Sequence, residues 1–451
     1  MPISSLMGSS RVALSAYQSA IGTTSKNISN VGNPDYVRRR ADVGSLISPT
    51  SGLAFREEDN IARLESGFIQ RQLWYKNQFL GKYETDELVY SQIETLFNEP
   101  TNSGLASMMG EFWNAWNDLG NDPDSPIART IVKDKGSLLA NTFNQLSTDL
   151  NNMAVEVASD MRDTVEQVNN ILHEIHTINE TIAANFSYDL ADSRDAALTK
   201  LSKIMNIEVH ENADHQVSVS TGGSILVPLI SGDFVNTLDL EVPKFSDYYK
   251  LEVSFSESGD PKAISGGALG SMIDVQNDRI PEILDELDNL AVTLASKVNE
   301  LHSSGFDLND NTGQNFFSDS VESAASFKVH DDILDDPNLI ASSDIASEAG
   351  NGNMAIAISD LQNGLHIEGV KFTDYYSSTL STVGSRVQEA NFLRISQEKV
   401  VSSIQNHRDS ISGVSLDEEM SNLIRYEQAY QAASRMISVA DELVQSVLNL
   451  I

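Results

Sequence analysis

The chain has no cysteine among its 451 residues. That excludes disulfides, thiolate nucleophiles and cysteine-held metals, and it makes folding indifferent to the redox state of the compartment. Basic residues are also scarce: 30 Lys and Arg stand against 65 Asp and Glu, a formal net charge of −35. Such a surface repels nucleic-acid phosphates and anionic lipid, so neither is an expected partner. No uninterrupted apolar run is long enough to span a bilayer, so membrane insertion is not expected. The first residues, Met1-Pro2-Ile3-Ser4-Ser5-Leu6-Met7-Gly8, lack a basic segment followed by an apolar one, so a cleavable secretory signal is not expected either. Internal repeats and low-complexity tracts are absent.

What the chain does contain is helical periodicity. Hydrophobic residues make up 40% and charged residues 21%, the balance of a folded protein, and the length predicts two to four domains. Ile3, Met7, Leu14, Tyr17, Ile21 and Ile28 recur at alternating steps of four and three, with Ser10 and Thr24 filling the gaps, until Gly32 and Pro34 stop the helix. The C-terminus is clearer still. Leu416, Glu419, Leu423, Tyr426, Tyr430, Ala433, Ile437, Ala440, Val444, Val447 and Ile451 keep a strict alternation with Glu419 as the one polar member. This predicts a helix of about 50 Å, with Asp417, Glu418 and Glu419 in the first turn where the helix dipole favours anions. An apolar stripe of that kind must be buried against something, and the N-terminal stripe is the expected partner.

Long helices are also predicted over 61–97, 127–186, 280–301 and about 380–406. Near 204 the period changes to two, as in Gln216-Val217-Ser218-Val219-Ser220, which predicts a small β-rich domain through about 264. Short strands among polar turns are expected over 306–375.

The candidates for chemistry are weak. His173 and His176 stand three apart, whereas a metalloprotease helix needs four and a third ligand. Asp307–Gly313 begins like a calcium loop, but Thr312 and Ser318 stand where glycine and a bidentate glutamate belong. Gly266-Gly267-Ala268-Leu269-Gly270 lacks the spacing of a nucleotide-binding fingerprint and reads as a flexible entry into a helix. Arg38-Arg39-Arg40 reads as a solvated or salt-bridging run. No cofactor, metal or catalytic residue is therefore expected.

Two terminal motifs and several internal ones carry a resemblance. Asn27-Ile28-Ser29-Asn30-Val31-Gly32-Asn33-Pro34-Asp35-Tyr36-Val37-Arg38 resembles the N-terminal signature of flagellar axial proteins, its signature residues being Asn27, Ile28, Asn30, Pro34, Tyr36 and Arg38. Ser412–Leu423 and Gln428–Arg435 are similar to the matching C-terminal signature. Phe112–Leu119, Asp192-Ser193-Arg194-Asp195, Asn299-Glu300-Leu301-His302, Gly305-Phe306-Asp307-Leu308 and Phe316-Phe317 resemble the flagellar hook-associated protein 1 family. Asp35 replaces the family's usual glycine at a position expected to have positive φ. The chain is short for that family, so an outer variable domain is expected to be reduced or missing.

The resemblance implies a structural subunit of the bacterial flagellum at the hook–filament junction; a hook or distal-rod subunit, or a surface-binding protein on an axial scaffold, is the alternative. The expected fold is mainly α with a smaller β domain. Segments 1–40 and 405–451 would form a terminal coiled coil, 41–203 with 265–404 a helical middle domain, and 204–264 the β domain. The expected assembly seam comprises Leu14, Tyr17, Ile21 and Ile28 with Leu416, Leu423, Tyr426, Tyr430, Ala433, Ile437, Ala440, Val444, Val447 and Ile451. The partners implied are copies of the chain in a helical ring, the hook subunit, a second hook-associated protein on the filament side, and a cytosolic export chaperone on the C-terminal helix. Export without a cleavable signal, through the flagellar type III apparatus, would make the protein extracellular.

Overall fold

The computed structural model describes residues 3–43, 61–97, 104–222, 226–241, 250–257, 260 and 263–448. The fold is mainly helical. In chain order, the longer elements are α1 (Ile3–Ser29), β1 (Arg39–Ala41), β2 (Ile61–Arg63), α2 (Gly67–Phe97), α3 (Leu105–Asn121), α4 (Pro126–Ala184) and α5 (Tyr188–Ile204). Strands β3 (Glu208–Glu211), β4 (Val217–Gly222), β5 (Leu226–Ser231), β6 (Phe234–Val235), β7 (Leu238–Glu241) and β8 (Glu252–Phe255) follow. Then come α6 (Gly267–Asp274), α7 (Ile280–His302), α8 (Asp331–Asp335), α9 (Asn353–Asp360), α10 (Phe372–Ser412) and α11 (Leu416–Leu448). A π-turn over Val275–Arg279 joins α6 to α7.

The chain forms two compact units. One comprises Met1–Phe79, Asn169–Asn236 and Gln397–Ile451; the other comprises Leu80–Val168 and Thr237–Ser396. In the first, β3–β6 form an antiparallel meander, with a register shift between Val219 and Ser220. Period-two alternation works as the sequence predicts: Val217, Val219 and Thr221 are buried while Ser218 and Ser220 point the other way. The side-chain amide of Asn179, on α4, donates to the Val217 carbonyl at 2.8 Å and accepts from its N–H at 3.1 Å, fixing the sheet to that helix.

The second unit is built on an aromatic core. Phe112, Trp113, Trp116, Phe316, Phe317, Phe327 and Phe372 are each at most 1% exposed. Helix α7 buries Ile280, Leu284, Leu287, Ala291, Leu294 and Val298 on one face, as its spacing predicts. Four of the internal motifs, Phe112–Leu119, Asn299–His302, Gly305–Leu308 and Phe316-Phe317, lie in this unit. The edge of the Trp116 ring meets the rings of Phe316 (5.2 Å between centroids) and His302 (6.0 Å). At Gly305 a Cβ would lie 2.8 Å from Met354 Cγ and 3.0 Å from Ala341 Cβ, so only glycine fits.

Several expectations are corrected. The strand-rich stretch 204–264 divides between the units: β3–β6 fall in the first, and the β7–β8 pair in the second. Over 306–375 the expected strands are isolated bridges among short helices, because the chain is held there by side chains rather than by ladders. Residues 61–63 of the expected helix 61–97 form β2, and the helix starts at Gly67. The glycine run at 266–270 is tight rather than flexible: Gly267 has φ +72, and a Cβ on Gly270 would lie 2.6 Å from the Ser265 carbonyl carbon. By contrast, Asp307 does open a polar turn, as its sequence suggests, the carboxylate accepting from Asn309 N (2.7 Å) and Asn311 N (2.9 Å).

His302 yields a testable consequence. Its Nε2 accepts from Ala341 N–H at 2.9 Å and its Nδ1 donates to the Gln314 carbonyl at 2.7 Å, which fixes one neutral tautomer. Burial pushes its pKa down from 6.5 to about 4. Above the ordinary value the neutral ring carries no penalty; below it the unfolded chain takes up a proton that the folded one refuses until about pH 4. Stability should therefore fall by about 3 kcal/mol across that window through this one group. Denaturant titrations followed by tryptophan emission should show a steeper acid-side loss for the native chain than for His302→Gln. Equal slopes would show that the imidazole is not the group responsible.

Candidate functional site: the meeting point of the two chain ends

Helix α1 packs along α11, with its last turn against the first turn of its partner, so the two run antiparallel. Past α1 the chain reverses through Gly32, whose φ is +86, and a turn in which Tyr36 N donates to the Asn33 carbonyl at 3.3 Å. Pro34 fills the second position of that turn. Asp35 does not adopt the positive φ expected of it; the left-handed residue is Gly32. Asp35 N instead donates to Asn33 Oδ1 at 3.1 Å.

The reversal brings the signature residues onto one another. Asn27 is 1% exposed and uses its whole carboxamide. Its Nδ2 donates to the Arg39 carbonyl (2.8 Å) and to Glu419 Oε2 (2.9 Å), while its Oδ1 accepts from Tyr36 Oη (2.8 Å) and Arg39 N (3.1 Å). Two donors and two acceptors are all that an asparagine has. Arg38 closes the other side: its Nη2 lies 2.7 Å from Glu419 Oε1 and its Nη1 2.7 Å from Glu418, and its N–H donates to the Ser412 carbonyl at 2.9 Å. The polar break in the C-terminal stripe is thus a fastening between the chain ends. Burial pushes the Tyr36 hydroxyl up to about 12, against the lowering effect of nearby Arg39.

Behind this clasp lies a second charged layer. Strand register sets Arg39 opposite Arg63, two like charges that would repel without an intervening anion. Asp192 supplies it, 2.8 Å from Arg39 and 2.9 Å from Arg63. Asp189 adds a contact to Arg39 at 2.6 Å, and Asp195 and Glu65 add contacts to Arg63 at 2.7 and 2.6 Å. Burial holds the Asp192 carboxyl above the usual range even though both guanidiniums pull it down. Of the three arginines at 38–40, Arg38 and Arg39 are committed to these pairs and Arg40 is exposed.

The other expected site residues fall as follows. Asn30 caps α1, its Nδ2 donating to the Lys26 carbonyl, and the Pro34 carbonyl accepts from Arg408. On α11, Ala433 and Ala440 are buried with Glu419, while Leu423, Tyr426, Tyr430, Ile437 and Val444 are half-buried. Leu416 is 48% exposed, so it adds little to the seam within one chain. Val447, as a side chain, and Ile451 lie outside the described residues. On α1 the fully buried line is Ser10, Ala16, Ala20, Thr23, Thr24 and Asn27; Leu14, Tyr17, Ile21 and Ile28 flank it half-buried. Small side chains at the contact let two helix backbones come close, which pushes the larger ones to the sides. Beyond the seam, Met420, Ile424, Met436, Val439 and Leu443 of α11 are exposed.

Arg63 and the bridging role of Asp192 gave no signal in the sequence; Arg39 stood in a run legible as salt-bridging, and Asp192–Asp195 showed only a family likeness.

A model of the flagellar hook-associated protein FlgK helical domain matches residues 90–317, more than half of the chain, and a model of the C-terminal segment of flagellar basal-body rod FlgEFG proteins matches 405–450. The chain belongs to the FlgK family of flagellar hook-associated proteins. Among curated proteins it is similar to flagellar hook-associated protein 1 of Bacillus subtilis, 29% identical over 498 positions covering 99% of this chain and 98% of the relative. It is also similar to the protein of that name from Escherichia coli, 23% identical over 557 positions covering 99% of this chain and all of the relative. Those 557 positions exceed the 451 residues of this chain, so the relative holds internal segments without a counterpart here. Among solved structures, the flagellar hook junction protein FlgK of Burkholderia pseudomallei has the same fold. It superposes with a TM-score of 0.68 at 16% identity, over 76% of this chain and all of that one.

Proposed function

We propose that the protein is the structural subunit joining hook to filament in the bacterial flagellum, with a mechanical rather than a catalytic role. The observation that carries this reading beyond family membership is the unequal pairing of the chain ends. Helix α11 is clasped to α1 through Asn27, Arg38 and Glu419, yet it keeps a further set of apolar residues, Met420 to Leu443, that α1 does not cover. Exposed apolar rows of this kind mark interaction surfaces. Copies of the chain stacked in a helical ring would cover them, the paired ends forming an inner coiled-coil layer with the rest of the chain outside it. The hook subunit would bound the ring on one side and a second hook-associated protein on the other. Before export through the flagellar type III apparatus, a cytosolic chaperone on α11 would shield the same apolar residues; folding on assembly would then supply the free energy of ordering.

A strain lacking the gene is expected to carry intact hooks without filaments and to release filament subunits into the medium. Loss of the hooks themselves would assign the chain to the hook or distal rod instead. Normal filaments would remove it from the axial structure.

A further inference from the structure

With cysteine absent, the only sulfur in the chain is that of its 11 methionines. Met108, Met109, Met153, Met161, Met205 and Met354 are at most 8% exposed. Met7 and Met272 are half-buried, and Met1 lies outside the described residues. The Met272 sulfur also accepts from the Thr164 hydroxyl, at 3.8 Å. Among the described residues the exposed methionines are Met420 and Met436, at 44% and 45%, and both are on α11.

Their neighbours are apolar and exposed as well. A helix sets residues three and four apart side by side, so Met420 adjoins Ile424, and Met436 adjoins Val439, which adjoins Leu443. Each exposed apolar cluster of α11 thus contains one thioether. At about 3.6 residues per turn the two methionines point to different sides of the helix, flanking the buried line of Glu419, Ala433 and Ala440. Leucine would supply similar volume and a similar helix preference without an oxidisable atom.

We propose that Met420 and Met436 are a site of reversible oxidation by peroxide that turns the apolar surface of α11 polar in the free subunit. The thioether sulfur attacks one oxygen of hydrogen peroxide, and an S–O bond forms as the O–O bond breaks. The departing hydroxide takes the proton of the transferred hydroxyl and leaves as water, so sulfur loses the two electrons that the peroxide gains. The sulfoxide is polar and chiral where the thioether was apolar. Burying its unpaired oxygen against a neighbouring copy should weaken that contact about tenfold for each sulfoxide. Methionine sulfoxide reductases, one for each epimer, restore the thioether. The effect on assembly rests on the reading of α11 given under the proposed function; the oxidation itself does not.

The test treats the purified full-length protein with limiting hydrogen peroxide and follows each methionine by peptide mass spectrometry. Met420 and Met436 should oxidise about tenfold faster than the buried methionines. Treated and untreated samples of the same chain are then compared on a phenyl column and by co-sedimentation with hooks sheared from the deletion strain. Peroxide should lower both retention and hook binding of the native chain, and the reductases should restore them. In the double variant Met420→Leu, Met436→Leu, with helix content checked by circular dichroism, peroxide should change neither. Even oxidation across the described methionines, or a peroxide effect of equal size in the native chain and the leucine variant, would overturn the inference. Failure of the untreated native chain to bind hooks would count against the hook–filament reading instead, with mass spectrometry and the phenyl column still deciding the oxidation site.

Discussion

Asp192→Ala is expected to destabilise the first unit by about 3–5 kcal/mol, the range for removing one partner from a buried ion pair. The geometry accounts for the size of the effect. Asp192 is 7% exposed and lies between two buried guanidiniums that strand register holds opposite each other. Without its carboxylate, Arg39 and Arg63 repel in a site that water barely reaches. Asp189, Asp195 and Glu65 each touch only one of Arg39 and Arg63, so none of them bridges the pair. Thermal unfolding should move down on the order of 10 °C. Lys26→Ala, which removes a long, exposed contact to Asp189, should leave it nearly unchanged. In a double-mutant cycle, Arg63→Ala should cost much less in the Asp192→Ala background than alone, because the pair's energy has already been lost. A cost of the same size in both backgrounds would mean that Asp192 and Arg63 are not coupled.

The difference between what could be read from the sequence and what could not follows from where each signal resides. The α11 stripe was legible because a helix repeats its face every three or four residues, and α7 was legible for the same reason. The α1 stripe was legible as a helix but not in its contact line. The sequence advertises Leu14, Tyr17 and Ile21, whereas close packing selects the small Ala16, Ala20 and Thr23. Burial at small residues depends on how near a second helix comes, and no local pattern encodes that distance. The ion layer was opaque for a different reason. Arg39, Arg63 and Asp192 are joined only by the fold, more than a hundred residues apart in the case of the aspartate. Glu419 lies between these cases: the sequence marks it as the single polar step in an apolar stripe, and only the structure explains it, through Asn27 and Arg38.

Ile437→Asp should abolish incorporation into the flagellum while leaving the second unit folded. Ile437 is half-buried on the face of α11 that carries the buried Ala433 and Ala440, and a carboxylate placed there is desolvated with no cation among the expected seam residues. Val444→Asp, one heptad on, should act the same way. Leu443→Asp and Val439→Asp separate two steps. Both residues are exposed in the single chain, so their substitution should leave α1 paired with α11 and a purified subunit of normal helix content. If that exposed row is covered by neighbouring copies, these variants should nonetheless fail to assemble, and strains carrying them should shed filament subunits like a deletion. Complementation scored by motility and electron microscopy, with circular dichroism of the purified subunits, reads both steps. Motile cells with Ile437→Asp would exclude the seam, whereas motile cells with Leu443→Asp and Val439→Asp would leave the seam intact and move the subunit contact off this face of α11.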